Sequence, residues 1–284
     1  MKILHIVPGE SDISNGMAVV ARMIANEQGN AEVVDLKGGL RAIAEKDLAE
    51  LWIHGMWLPI EWFACWRAHI QGKRFVRMTH GSLSPLYLKY KSPFKKWLVG
   101  PIERFCLRRC TKIVATCEAE KGWIEAYLGN ACPLVEVTDI KRFFNLSTSE
   151  AGVLPSDRPL HLLYLGRRHP LKGLKYLEEA LRELQKKDSS VNFRVVSNAF
   201  GEEKEKVWDW CDVLVLPTLS DNVGLVVAEA LERGKRVITT DGAPDWGDCN
   251  DYGGRLIYLK GYRDGSPEER VRLLKDAIEE LCQS

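Results

Sequence analysis

Two carboxylates eight positions apart, Asp221 and Glu229, stand at the mouth and inside of the stretch Leu216 to Gly234, LPTLSDNVGLVVAEALERG. Before it, Cys211 to Leu216 is β-branched and apolar enough for a buried parallel strand, which Pro217 stops. Ser220, Asp221 and Asn222 are N-cap types, and Val226, Val227, Ala230 and Leu231 recur at helical spacing until Gly234 closes the pattern. Glu229 then lies about two turns inside a helix and leans back toward Asp221, so both carboxylates can face the hydroxyls of one ligand. The amides at Val223, Gly224 and Leu225, with the helix dipole behind them, suit a phosphate, and Gly224 permits close approach. A buried helix with a capping Asp and a solvated Glu fits the same residues.

A second strand and loop supply charge of the opposite sign. His161 to Gly173, HLLYLGRRHPLKG, runs from an apolar strand into a Gly-containing basic loop, and a helical pattern follows from Leu174 to Lys187. Arg167 and Lys172 are cations for a diphosphate, and the ends of parallel strands are where such sheets bind ligands. Together the loops resemble those of the retaining GT-B glycosyltransferases of family 4 (group 1), of the bacterial surface-polysaccharide type. That family carries a G-R-x(4)-K-G loop, here Gly166-Arg167 to Lys172-Gly173, and an E-x(7)-E signature, here Asp221 to Glu229. Lys235 to Trp246 is similar to the strand and loop that follow, and Thr138 to Phe143 to the V-D-x-x-x-F segment that ends the family's first domain.

The resemblance implies an α/β chain of two Rossmann-like parallel-sheet domains facing across a cleft. It implies transfer of a hexosyl group, with retention, from a nucleoside-diphosphate sugar, UDP- or GDP-linked, to a glycan or lipid-linked acceptor in surface-polysaccharide or lipopolysaccharide assembly. In that reading Arg167 and Lys172, with the amides at Gly224 and Leu225, stabilise the leaving diphosphate; Asp221 holds sugar hydroxyls and Glu229 the ribose. His80 orients the sugar, and Asn15 and Gly16 lie over the pyrophosphate. Gly166, Asn222 and Val223 complete the donor set. No covalent catalyst and no cofactor are implied. No D-x-D occurs, so the expectation is metal independence. Two departures bear on specificity: only about fifty residues separate Gly166 from Asp221, and Asp replaces Glu at 221. A low-activity sugar-nucleotide-binding partner subunit and a GT-B epimerase or phosphorylase are the alternatives.

The elements that must position these residues read as two domains. With 284 residues and 45% apolar content, two α/β units of roughly 130 residues fit the usual domain size. The boundaries expected are 1–144, a linker 145–158 rich in Ser, Gly and Pro, 159–266, and a terminal helix 267–284 that can pack back on the first domain. In the first half the strands are Lys2–Val7, Ala31–Leu36, Leu51–His54, Arg74–Thr79, Lys112–Thr116 and Leu134–Val137. Helices are expected at Met17–Gln28, Leu40–Leu51, Pro59–Ile70 and Glu118–Leu128, and later at Pro267–Cys282. His80 and His54 each end a strand and precede a Gly, although a lone His is more often structural.

Net charge is +1, so no global field favours nucleic acid, and G-x-G-x-x-G is absent. Eight scattered cysteines without C-x-x-C read as reduced thiols of a cytoplasmic protein. Charge is nonetheless lopsided: from Arg67 to Lys112 twelve basic residues face one acid, Glu103, and aromatic residues are interleaved. Residues 88–112 suit peripheral contact with an anionic membrane at the cytoplasmic face of the inner membrane, or a solvated amphipathic helix.

Overall fold

The computed structural model describes residues 2–9, 16–44, 47–146, 154–185, 191–197, 199–247 and 252–283. The chain divides into two compact units, Met1–Ile140 and Lys141–Ser284. The first contains β1 (Lys2–Val7), α1 (Gly16–Gln28), β2 (Ala31–Asp35), α2 (Leu36–Ala42), β3 (Leu48–His54), α3 (Pro59–Ile70) and β4 (Arg74–Met78). It continues with α4 (Pro85–Tyr90), α5 (Pro93–Arg109), β5 (Lys112–Ala115), α6 (Glu118–Leu128) and β6 (Val135–Val137). All six strands are parallel, in the order β2-β1-β3-β4-β5-β6. Strands covered on both faces need apolar residues at successive positions, which Leu51 to Ile53 supply and which Leu4, Ile6 and Val7 supply with His5 buried between them. Leu4, Ile6, Leu51, Ile53, Phe75 and Ile113 form the core with Leu107 and Ile124 from the helices.

The second unit contains β7 (Leu160–Leu165), α7 (Leu174–Gln185), β8 (Val191–Val196), α8 (Gly201–Trp210), β9 (Val213–Leu216), α9 (Leu225–Glu232), β10 (Arg236–Thr240), β11 (Leu256–Leu259) and α10 (Pro267–Gln283). Its five parallel strands run β11-β10-β9-β7-β8. Read from β8, this is the order of the first five strands of the other unit. In each sheet the order reverses once, between β1 and β3 and between β7 and β9. Ligands of such sheets bind at that reversal, beyond the carboxyl ends of the strands. The terminal helix α10 packs on α7 in its own unit: Val271, Leu274, Ile278 and Leu281 are buried, Arg270 Nη1 donates to the Tyr176 hydroxyl at 2.7 Å, and Lys275 meets Glu183 at 3.1 Å.

Two elements differ from the sequence expectation for a physical reason. The helix expected at Leu40–Leu51 lies instead at Leu36–Ala42, because Asp35 Oδ1 accepts from Gly38 N at 2.6 Å and starts it early. Leu48 to Glu50 join β3, where pairing with β1 and β4 outweighs their helical propensity. The helix expected from Val223 starts at Leu225, and its cap is Gly224, in the left-handed region at φ 62°, rather than Ser220, Asp221 or Asn222.

Candidate functional site

The reversal point of the second sheet sets the loop after β7 beside the loop after β9, and backbone bonds tie them together. Leu219 N donates to Leu171 O at 2.7 Å, as does Thr218 Oγ1 at 3.1 Å. The loop after β10 joins on the other side: Asp221 N donates to Gly242 O at 2.8 Å, and Thr240 Oγ1 to Thr218 O at 2.5 Å. Packing is so close that a Cβ on Gly173 would stand 1.8 Å from the Pro217 carbonyl oxygen, and one on Gly242 2.0 Å from that of Thr218. The glycines at these positions are what let three loops share one surface.

That arrangement brings Lys172 and Asp221 together. The Lys172 ammonium pairs with Asp221 Oδ2, both side chains about one-fifth exposed, while Asp221 Oδ1 accepts from Asn222 N at 2.9 Å. Asp221 is therefore oriented by a cation and an amide, not spent on capping α9. Gly166 N donates to Val196 O at 3.0 Å, closing the strand end, and the Tyr164 hydroxyl donates to Arg167 O at 2.8 Å. Arg168 reaches Glu178 at 3.8 Å, whereas the exposed Arg167 has no ion pair among the described residues. A largely shielded Lys and an exposed Arg thus lie on one loop. Partial burial, with the charges of Arg167 and Lys172 beside it, holds the His169 imidazole below its ordinary range.

The helix on the far side supplies dipole and amides. Gly224 turns the chain into α9, whose first amides have no intrahelical acceptor. Val223 is buried, and its carbonyl accepts from the indole Nε1 of the fully buried Trp246 at 2.6 Å. Glu229 is not brought to Asp221 by a direct contact. Its Oε2 lies 2.6 Å from Lys204 Nζ on α8. Lys204 carries no sequence signal, because α8 comes beside α9 only through the sheet order; Trp246 is likewise legible only once its indole is seen closing the Val223 turn.

In the first unit, Gly16 is the exposed first residue of α1 and Asn15 lies outside the described residues. His80 follows β4 with φ 49°, a left-handed conformation uncommon for a residue with a side chain, and is half-buried. Its backbone is clasped by the buried carboxylate of Glu120 on α6. Glu120 Oε1 accepts from Thr79 Oγ1 at 2.5 Å and from Gly81 N at 2.6 Å, and Oε2 accepts from Thr116 N and Oγ1 at 2.8 Å. His80 Nε2 meets His54 Nδ1 at 2.8 Å, His54 Nε2 meets His5 Nδ1 at 2.9 Å, and His5 Nε2 meets Gln28 Oε1 at 2.8 Å. Three rings from adjacent strands form one chain. Burial pushes His5 down to about 4 and His80 to about 4, and drives His54 well below its ordinary 6.5. All three rings are neutral at physiological pH. His5, Gln28 and Glu120 are partners in the surroundings of His80 that sequence reading missed, since their link to it is one of strand order, not of spacing.

Beneath α3 and α5 lies a buried ionic set. Arg77 and Glu103, both fully buried, approach to 3.5 Å; Arg77 Nη2 donates to Gly55 O at 2.8 Å, and Glu103 Oε1 accepts from Trp62 Nε1 at 2.7 Å. Both acids between Trp57 and Lys112, Glu61 and Glu103, are turned inward. Of the eleven exposed large hydrophobic side chains among the described residues, nine lie between Leu58 and Phe105, with Trp97 at 75% exposure. Trp62, Phe63, Trp66, Ile102, Phe105 and Cys106 line an apolar groove of about 290 Å³ between α3 and α5.

No protein-family model matches the chain, and no curated protein matches it in sequence. Solved structures do match. Sucrose-phosphate synthase from Thermosynechococcus elongatus is similar over 100% of this chain and 90% of its own, with TM-score 0.65 and 13% identity. The catalytic domain of starch synthase IV from Arabidopsis thaliana, bound to ADP and acarbose, is similar over 100% and 99%, with TM-score 0.59 and 9% identity. The apo form of the lipopolysaccharide outer core galactosyltransferase WaaB is similar over 99% and 91%, with TM-score 0.57 and 17% identity. At such identities the likeness is one of fold: the chain has the two Rossmann-like parallel-sheet domains of the GT-B glycosyltransferases.

Proposed function

We propose that the chain is a retaining glycosyltransferase of family 4 type that moves a hexosyl group from a UDP- or GDP-sugar to a hydroxyl of a glycan or lipid-linked acceptor, without a metal ion. The observation that carries this reading is the second unit's reversal point, where Arg167, the Lys172–Asp221 pair and the start of α9 converge. Cations and helix amides on one surface are the chemistry a leaving diphosphate needs: negative charge grows on it as the glycosidic bond breaks, and donors already in place stabilise that charge without reorganising. Asp221, held by Lys172, is the hydroxyl reader; Glu229, held by Lys204, is the ribose reader. Asn15 and Gly16 are the first-unit residues that we assign to the donor pyrophosphate. The ADP bound to starch synthase IV and the galactosyltransferase WaaB support the donor class by analogy of fold.

Calorimetric binding of UDP, GDP, ADP and CMP, each with EDTA, tests the reading on wild type, Arg167→Ala and Glu229→Ala. One nucleoside diphosphate is expected to bind in the micromolar range, weakened roughly 5- to 150-fold by either substitution, as for loss of a charge-assisted hydrogen bond. Absence of binding, or indifference to both substitutions, would overturn it.

The acceptor side of the reading rests on the first unit. Its outward aromatic and basic side chains around residues 88–112, with no acid left at the surface between Trp57 and Lys112, fit peripheral contact with anionic lipid at the inner membrane's cytoplasmic face. No helix among the described residues is long and apolar enough to cross a membrane.

A further inference from the structure

The chain of rings that ends at His80 has a direction, and its far end sets it. An N···N hydrogen bond between two neutral imidazoles holds one proton, so each ring's tautomer dictates the next. Gln28 presents its Oε1, an acceptor only, to His5 Nε2 at 2.8 Å. His5 therefore carries its proton on Nε2 and offers the Nδ1 lone pair to His54 Nε2. His54 in turn offers Nδ1 to His80 Nε2. The result is one Nε2–H tautomer at all three positions, with the His80 Nδ1 lone pair left over. Among the described residues the His80 ring makes no hydrogen bond besides the one to His54.

The supports are rigid. His5 and His54 are fully buried, and His5 stacks on Trp52 with ring centroids 5.0 Å apart. The Glu120 clasp on Thr79 and Gly81 fixes the backbone on both sides of His80 in its left-handed conformation. The relay therefore presents an acceptor at the carboxyl end of β4, where sheets of this kind meet their ligands.

We propose that Gln28, His5 and His54 are positioning residues that hold His80 as the Nε2–H tautomer, so that its Nδ1 accepts a hydrogen bond from a hydroxyl of the substrate. The ligand chemistry is thereby narrowed. A lone pair selects an O–H donor and disfavours a bare phosphate oxygen, which has no proton to give. The role of His80 toward a sugar rests on the glycosyl-transfer reading; the tautomer does not.

Nitrogen-15 NMR of histidine-labelled full-length protein, in which the two ring-nitrogen shifts separate the tautomers, is the test. Wild type is expected to show His80 protonated on Nε2. Gln28 is only partly buried, at the end of α1, so its variants can change the end group without opening the core. Gln28→Glu keeps an acceptor and should keep the tautomer, whereas Gln28→Lys presents a donor to His5 and should drive every ring to Nδ1–H. With the nucleotide established by calorimetry and its hexose derivative as donor, Gln28→Lys should lower kcat roughly tenfold, one hydrogen bond's worth, while the Kd for the free nucleoside diphosphate stays unchanged, and Gln28→Glu should keep the rate. An Nδ1–H signal for His80 in wild type, or the same tautomer in the Glu and Lys variants, overturns the proposal. A switched tautomer with unchanged kcat overturns the positioning role. Failure of nucleotide binding at Arg167 and Glu229 would instead strike the glycosyl-transfer reading.

Discussion

Gly173 and Asp221 show how much rests on single residues. Gly173 sits at φ 68° with its missing Cβ against the Pro217 carbonyl, whereas Gly201, at φ 51°, has nothing within 4 Å. Both suffer the left-handed penalty of about 1 kcal/mol on substitution by Ala, but only Gly173→Ala forces two loops apart. Guanidinium unfolding of the second unit is expected to show a loss above about 3 kcal/mol for Gly173→Ala and about 1 kcal/mol for Gly201→Ala. Equal losses would mean that the close approach is not real. Asp221 is a carboxylate beside a site that we assign to a dianion. Lys172→Met should weaken nucleoside-diphosphate binding at least about fivefold, while Asp221→Asn, which removes the negative charge and releases the ammonium, should tighten it. Calorimetry at low salt checks the two opposite signs.

At the scale of elements, buried titratable groups write opposite slopes into the first unit's stability. The histidine rings have folded values below the unfolded 6.5, so the unfolded chain binds more protons on acidification and stability falls from pH 6.5 toward 4. Glu61, buried against α5 and lifted to about 7, acts the other way: its stabilising protonated form is lost as pH rises from about 4.5 to 7. Three rings outweigh one acid, and His5 alone is worth up to about 3 kcal/mol. The urea midpoint followed by tryptophan fluorescence should therefore peak near pH 6.5 and fall on acidification; a flat profile from 6.5 to 4.5 would contradict the burial of the rings. Arg77 and Glu103 share one buried pair, so Glu103→Gln should cost about 3 kcal/mol or more by leaving a guanidinium uncompensated. The elements themselves were largely legible: α3, Pro59–Ile70, and α6, Glu118–Leu128, fall where apolar spacing and flanking Pro, Gly and acids put them. Misplacement came where a single side chain or partner strand decided, at Asp35 for α2 and at β1 for Leu48 to Glu50. Of the candidate site, Arg167, Lys172, Asp221 and His80 could be picked out by type and position, but not Lys204 or the His5–Gln28 end of the relay. Those contacts exist only once non-consecutive strands and their helices are neighbours.

For the whole molecule, two sheets of one strand order carry different chemistry at their reversal points: neutral rings in the first, charge in the second. Each has its own core, so fragments 1–140 and 141–284 are expected to fold separately, each with a dispersed amide NMR spectrum. The aromatic and basic face gives the whole chain a testable surface property. Flotation with phosphatidylcholine vesicles containing roughly a third phosphatidylglycerol should recover the protein, and neutral vesicles should not. Trp97→Ser with Trp66→Ser should reduce recovery severalfold without moving the nucleotide Kd; equal partition to both vesicles would remove lipid charge from the account.

That face belongs wholly to the unit that precedes the other in the chain. The ribosome finishes the Met1–Ile140 unit some 140 residues before Ser284. At translation rates of about 5–20 residues per second the interval is roughly 7–30 s, ample for a domain with a complete core to form. If that face meets lipid as proposed, a nascent chain can reach the membrane surface before the second unit has been made.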